Sequence, residues 1–151
     1  MILEELIARE EIRRTMAIYN TSGDRGRLAE MAETFTEDGI LEVASVPYVG
    51  RETIKSKIAS GIKNRSEISG PHVTFMRHNL TTSHIEFVSD SEAHCWTYFL
   101  AITDFGPDHA GVYVDKFKKC DDRWLIAHRR VKISWDSPTS NYRGPGQMEA
   151  P

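Results

Sequence analysis

Apolar residues at Leu3, Leu6, Ile7, Ile12, Met16 and Tyr19, with charged residues between them, have the spacing of an amphipathic helix. The stripe runs into Thr21-Ser22-Gly23-Asp24, where Gly23 predicts a stop or a kink. A short second helix over 27–34 would bury Leu28, Met31 and Phe35. Thr36-Glu37-Asp38-Gly39 reads as a turn and Ile40-Leu41-Glu42-Val43 as a first strand. After Gly50, the recurrence of Ile54, Ile58 and Ile62 at every fourth position predicts a helix over 52–62.

Beyond Pro71 the pattern changes. Segments 75–88, 92–104, 111–119 and 123–135 are rich in β-branched and aromatic residues, and short polar breaks such as Ser89-Asp90-Ser91 and Cys120-Asp121-Asp122 separate them as hairpins would. Asp104-Phe105-Gly106-Pro107-Asp108 is a longer break. Helices first and an antiparallel meander afterwards predict an α+β fold in one domain over 1–135, followed by a partly ordered C-terminal arm over 136–151. In the strand 92–104, Cys95, Thr97, Phe99, Ala101 and Thr103 share one face, while Trp96, Tyr98, Leu100 and Ile102 share the other. Both faces are apolar, although a sheet covered on one side alternates apolar with polar. A homodimer or homotrimer built through the sheet is therefore expected.

Composition narrows the function classes. The 151 residues carry a formal charge of -3, which gives no broad attraction to nucleic acid or anionic lipid. The basic runs at Lys116-Phe117-Lys118-Lys119 and His128-Arg129-Arg130 are short. No apolar run is long enough to span a bilayer, and the acidic start Met1-Ile2-Leu3-Glu4-Glu5-Leu6 is unlike a signal peptide. The two cysteines make no disulfide framework. A cytoplasmic protein without nucleic-acid or membrane partners is the expectation. No metal is expected either: the histidines form no His-Glu-x-x-His pattern, and His78 and His84 are separated by roughly 20 Å of strand. Phosphate-binding, dinucleotide-binding and Gly-x-Ser-x-Gly signatures are absent. Acid–base chemistry or plain binding remains, with no cofactor.

Four residues stand out chemically. Arg129 shares a strand face with Leu125, Ala127, Val131 and Ile133, where an unpaired guanidinium would be very costly. It requires either an internal partner such as Asp115 or a polar pocket. Tyr19 and Asp24 lie five residues apart at the end of the first helix, and His78 heads a strand far downstream. Each has an ordinary alternative role: Tyr19 in the core, Asp24 as a cap or turn residue, and His78 as a surface or satisfied core residue.

The order of these features resembles a SnoaL-like domain of the nuclear transport factor 2-like superfamily. The resemblance rests on Tyr19, Asp24, Leu28, Phe35-Thr36-Glu37-Asp38-Gly39, Gly50-Arg51, His78 ahead of Ile85-Glu86-Phe87, Gly111-Val112-Tyr113-Val114-Asp115, Trp124-Leu125-Ile126-Ala127 and Trp135. It covers about residues 5–135 and is greatest with the branch holding scytalone dehydratase, bile-acid dehydratase and hexachlorocyclohexane dehydrochlorinase. It implies a cone-shaped roll, a curved antiparallel sheet packed on N-terminal helices, with a pocket at the wide end.

The resemblance also implies cofactor-free elimination by a His–Asp dyad, with His78 as catalytic base, Asp24 as its carboxylate and Tyr19 as a catalytic tyrosine. Arg129, Tyr48 and Tyr113 become candidate substrate-binding residues. A second histidine of scytalone dehydratase would fall near Ala101, with His94 too far back to replace it. A further acid of the bile-acid enzyme would fall near Leu100, and the Ser and Asn pair of scytalone dehydratase near Gly111 and Tyr113. The dyad thus transfers, but no relative's substrate shell does. The expected activity is a lyase or isomerase acting on a small apolar or aromatic ring compound. A non-catalytic small-ligand binder or accessory protein is the alternative. A hydrolytic reading would need another acid, and only Asp115 offers itself.

Overall fold

The computed structural model describes residues 2–66 and 73–140. Helix α1 (Leu3–Asp24) buries Ile12, Thr15, Met16, Tyr19 and Ser22, a single face at three- and four-residue steps. Leu3, Leu6 and Ile7 in its first turns are more than half exposed, so only the later part of the apolar stripe reaches the core. The helix continues through Gly23, where a stop or kink is expected from sequence, and ends at Asp24. Helix α2 (Leu28–Ala32) is shorter than expected and buries Met31 and Ala32.

Strand β1 (Phe35–Val43) contains the whole Thr36-Glu37-Asp38-Gly39 segment that reads as a turn in sequence. The turn chemistry is expressed as a bulge: the register with the last strand passes from Phe35–Ile126 to Ile40–His128. A Cβ on Gly39 would lie 2.8 Å from the Phe35 Cβ and 2.9 Å from the Thr36 carbonyl, so the bulge needs glycine there. Its free carbonyls are satisfied from outside the ladder. Gly50 N–H donates to the Gly39 carbonyl at 2.8 Å, and the Arg51 guanidinium donates to the Phe35 carbonyl at 2.7 and 3.0 Å. Strand β2 (Val46–Val49) folds back on β1 through Ala44 and Ser45, both at positive φ. Without Gly or Asn at those positions, the sequence carries no hairpin signal there. Helix α3 (Arg51–Ser66) buries Ile54 fully and Ile58 partly, and leaves Ile62 39% exposed.

The meander follows as β3 (Met76–Ser89), β4 (Glu92–Thr103), β5 (Gly106–Cys120) and β6 (Arg123–Asp136). The strand order is β2-β1-β6-β5-β4-β3 in a curved, unclosed sheet against which the helices pack. The α+β class and the roll are as expected, but the sheet is mixed rather than antiparallel, because β1 runs parallel to β6. The Ile126 N–H donates to the Thr34 carbonyl at 2.9 Å, so the end of α2 delivers β1 alongside β6 in the same direction. Of the C-terminal arm, 141–151 lie outside the described residues. Its first part is held by the domain: β6 extends to a buried Asp136, Ser137 N–H donates to the Asp108 carbonyl, and Ser140 is buried.

On β4 the inward face Ala93, Cys95, Thr97, Phe99, Ala101 and Thr103 is buried, whereas Trp96, Leu100 and Ile102 on the other face are only partly covered and Tyr98 is 56% exposed. At Gly111 the backbone of β5 passes tightly against that of β6. A Cβ there would collide with the Lys132 carbonyl of β6. Gly111→Ala should cost stability at the upper end of the about 1–3 kcal/mol range for overpacking. In thermal unfolding this corresponds to a drop of about 6–12 °C in Tm for a chain of this size. An unchanged Tm would mean that β5 and β6 separate there without penalty.

Candidate active site

Asp24 is the last residue of α1, and β3 passes beside it. The His78 ring lies with Nδ1 2.6 Å from Asp24 Oδ1, and the His78 backbone N–H donates to Oδ2 at 2.9 Å. Both carboxylate oxygens are thus claimed by one residue 54 positions away, so Asp24 acts as neither cap nor turn. A carboxylate only accepts, so Nδ1 carries the proton and donates it, leaving the Nε2 lone pair outward. Nε2 has no hydrogen-bond partner among the described residues. The Asp24 side chain is 8% exposed and that of His78 21%. The imidazole is therefore fixed from behind and reachable from the front. Phe99 and His109 wall it, with ring centroids 6.0 and 5.8 Å away.

Beneath lies an aromatic and ionic layer. Phe99 stacks on Tyr113 at 4.4 Å, and Tyr113 meets the edge of Tyr19 at 6.1 Å. The guanidinium carbon of Arg129 lies 4.2 Å from the Tyr19 ring centre and 4.0 Å from that of Tyr113. Arg129 is wholly buried and makes a two-point contact with Asp115, Nε to Oδ1 at 2.8 Å and Nη2 to Oδ2 at 2.7 Å. The internal ion pair is therefore present, and Asp115 is not free to hold a water. Arg129 Nη1 is buried with no hydrogen-bond partner among the described residues.

Burial raises the pKa of Asp115, and the Arg129 guanidinium pulls it back down; Asp115 in turn raises Arg129, which stays charged. Burial also raises the phenols of Tyr19 and, more strongly, Tyr113, so both remain protonated donors. The Tyr113 hydroxyl donates to Asn20 Oδ1 at 3.3 Å. Tyr48 takes no part in this network. It sits on β2, at the other edge of the strand order from β3, and its ring faces Lys57 Nζ at 5.0 Å. A shallow surface cleft at Glu37, Gly50, Arg51, Glu52 and Thr53 contains none of these residues.

Sequence reasoning missed His109. The break at 104–108 hides it at a loop edge, but β5 already begins at Gly106. Extending the odd-numbered face of Gly111, Tyr113, Asp115 and Phe117 backwards would have found it. Ala101, where a second histidine was sought, pairs with His109. The adjacent Asp108 is skipped in the β4–β5 register, which passes from Ala101–His109 to Ile102–Pro107. This bulge turns neighbouring residues to the same side. His109 Nδ1 lies 2.7 Å from Asp108 Oδ2, which also accepts from the Ser140 hydroxyl at 2.7 Å.

Among the described residues no group of three His, Cys, Asp or Glu side chains could hold a metal, and no helix is long and apolar enough to cross a membrane. The sequence pattern of the SnoaL-like domain family matches residues 4–130. No curated protein matches the chain. Among solved structures, a scytalone dehydratase-like protein from Novosphingobium aromaticivorans is 24% identical, with a TM-score of 0.76 over 95% of this chain and 99% of that one. A hexachlorocyclohexane dehydrochlorinase from Novosphingobium barchaimii is 18% identical, with a TM-score of 0.76 over 94% and 97%. A Catenulispora acidiphila protein in complex with S-DNPA is 26% identical, with a TM-score of 0.70 over 83% and 92%.

Proposed function

The chain belongs to the SnoaL-like domain family, and from that membership we propose that it is a cofactor-independent lyase or isomerase acting on a small apolar or aromatic ring compound. The observation that carries this reading is the His78–Asp24 contact at 2.6 Å with Nε2 left open. His78 takes a proton from carbon next to an activating carbonyl, and Asp24 holds the tautomer and stabilises the imidazolium. Tyr19, kept protonated by burial, and the unclaimed Nη1 of Arg129 are the donors for charge developing on oxygen or on the leaving group. The stacked rings of Phe99 and Tyr113 supply an apolar wall.

The test is a cyclic β-hydroxy ketone in deuterated water, followed by NMR for exchange at the α-carbon and for loss of water. Exchange with elimination supports a lyase, and exchange alone an isomerase. Absence of both, alongside ligand-induced shifts of the His78 signals, favours the alternative of a non-catalytic receptacle. That alternative draws on the prior commitment of Tyr113 to Asn20 and of Arg129 to Asp115.

The outer sheet face supports self-association into a homodimer or homotrimer. Tyr98 and Trp135 are 56% and 44% exposed, with Trp96, Leu100 and Ile102 only partly covered. Tyr98→Lys should convert a sedimenting oligomer to monomer with the fold retained. A monomeric parent protein would exclude this interface.

A further inference from the structure

We propose that His109, held by Asp108, is the acid partner of His78, so that the two His–Asp pairs form one coupled unit with a proton shared between them. The proposal rests on the elimination reading for its chemistry and on geometry for the coupling. The His78 and His109 rings meet edge to face, with centroids 5.8 Å apart and Phe99 against both. Each Nδ1 is engaged by its own buried carboxylate, at 2.6 Å from Asp24 and 2.7 Å from Asp108. The two pairs come from unrelated parts of the chain. One joins the end of α1 to β3, whereas the other is made by adjacent residues that only a bulge in β5 could turn together. The Ser140 hydroxyl then orients Asp108 from beyond β6.

The charged and titratable groups around the rings are Asp24 from α1, Asp108 beside His109 on β5, and Asp136, which stands opposite His109 on β6. Deeper in lie Tyr19, Tyr113, Asp115 and Arg129. Acids favour a cation at the rings, but two imidazolium ions this close repel each other. One proton across the two rings is therefore favoured over two. The state with one proton has a base and an acid side by side, as elimination of water requires.

The step balances. His78 Nε2 takes the proton from carbon, the C–H electrons form the new double bond, and the C–O bond breaks. Hydroxide leaves with the proton that His109 releases, as water. His78 ends protonated and His109 neutral, and transfer between the two rings, directly or through one water, restores the starting state. No external reactant is consumed.

The experiment is an NMR titration of the histidine ring protons in the full chain, with His78→Gln and His109→Gln identifying the signals. Removing the neighbouring positive charge should move the His78 midpoint upward by on the order of one pH unit in His109→Gln. Asp108→Asn, which lets His109 lose its proton sooner, should move it the same way and serves if His109→Gln does not fold. A His78 midpoint that stays in place overturns the proposal. This readout needs no turnover and remains decisive if the elimination reading fails. For turnover, a cyclic β-hydroxy ketone is compared with its β-chloro counterpart, whose halide leaves without a proton. His109→Gln should lose about 10²-fold on the alcohol and little on the chloride, while His78→Gln loses both. Equal loss on both substrates would overturn the acid role of His109.

Discussion

Asp24→Asn should lower turnover on an elimination substrate by about 10²–10⁴-fold while leaving the fold intact. The expectation follows from what each carboxylate oxygen does. Oδ2 accepts from the His78 backbone N–H and Oδ1 faces the ring Nδ1. An asparagine that keeps its oxygen on the backbone N–H presents its amide hydrogens to Nδ1. The ring must then accept there and carry its proton on Nε2, the nitrogen needed as base. The imidazolium formed on proton abstraction also loses its counter-charge. His78→Ala removes the base itself and should fall in the same range. Because both side chains are assigned to proton transfer rather than to holding the substrate, the loss should appear in kcat with KM little changed. Full turnover in either variant, with an unaltered circular dichroism spectrum, would reassign the pair to holding α1 against β3.

Asp115→Asn should destabilise the protein by about 3–5 kcal/mol, the range for removing one partner of a buried ion pair. The Arg129 and Asp115 side chains are both wholly buried, and Arg129 Nη1 already lacks a hydrogen-bond partner among the described residues. Losing the carboxylate would leave the cation with only the faces of Tyr19 and Tyr113 against it. Urea denaturation at neutral pH would show the loss as a lower midpoint at unchanged slope. The double replacement Arg129→Met with Asp115→Leu should recover most of it, because no isolated charge is then left in the core. A single variant that lost under about 1 kcal/mol would behave like an exposed pair instead. The double variant also separates stability from function: if it folds well and works poorly, Arg129 acts on the substrate as well as on the core.

Much of this molecule was legible in the chain because the signals were periodic and local. Strand parity along 92–104 sorted the residues of β4 into its two faces, although both read as apolar and only the packing shows which is buried, and helical spacing put Ile12, Met16 and Tyr19 together. The lone Arg129 on an apolar face called for a partner, and Asp115 is that partner. Turn chemistry was less reliable. Thr36-Glu37-Asp38-Gly39 became a bulge inside β1, because the ladder with β6 resumes beyond it and tertiary hydrogen bonds take up its carbonyls. Ala44 and Ser45 made a hairpin at positive φ with neither Gly nor Asn.

The α+β class, the residues that share each strand or helix face and the residue types available for proton transfer thus follow from the chain alone. Only the tertiary structure decided which of them meet. Asp24 and His78 come together across 54 residues because α1 packs beside β3, and that is a property of docking rather than of any local pattern. Asp108 and His109 have opposite parity in a regular strand, and one skipped position in the β4–β5 register lets Asp108 hold the His109 ring that lies against His78. Strand period is fixed by backbone geometry and can be read along the chain, but a bulge forms where pairing with a neighbour demands it.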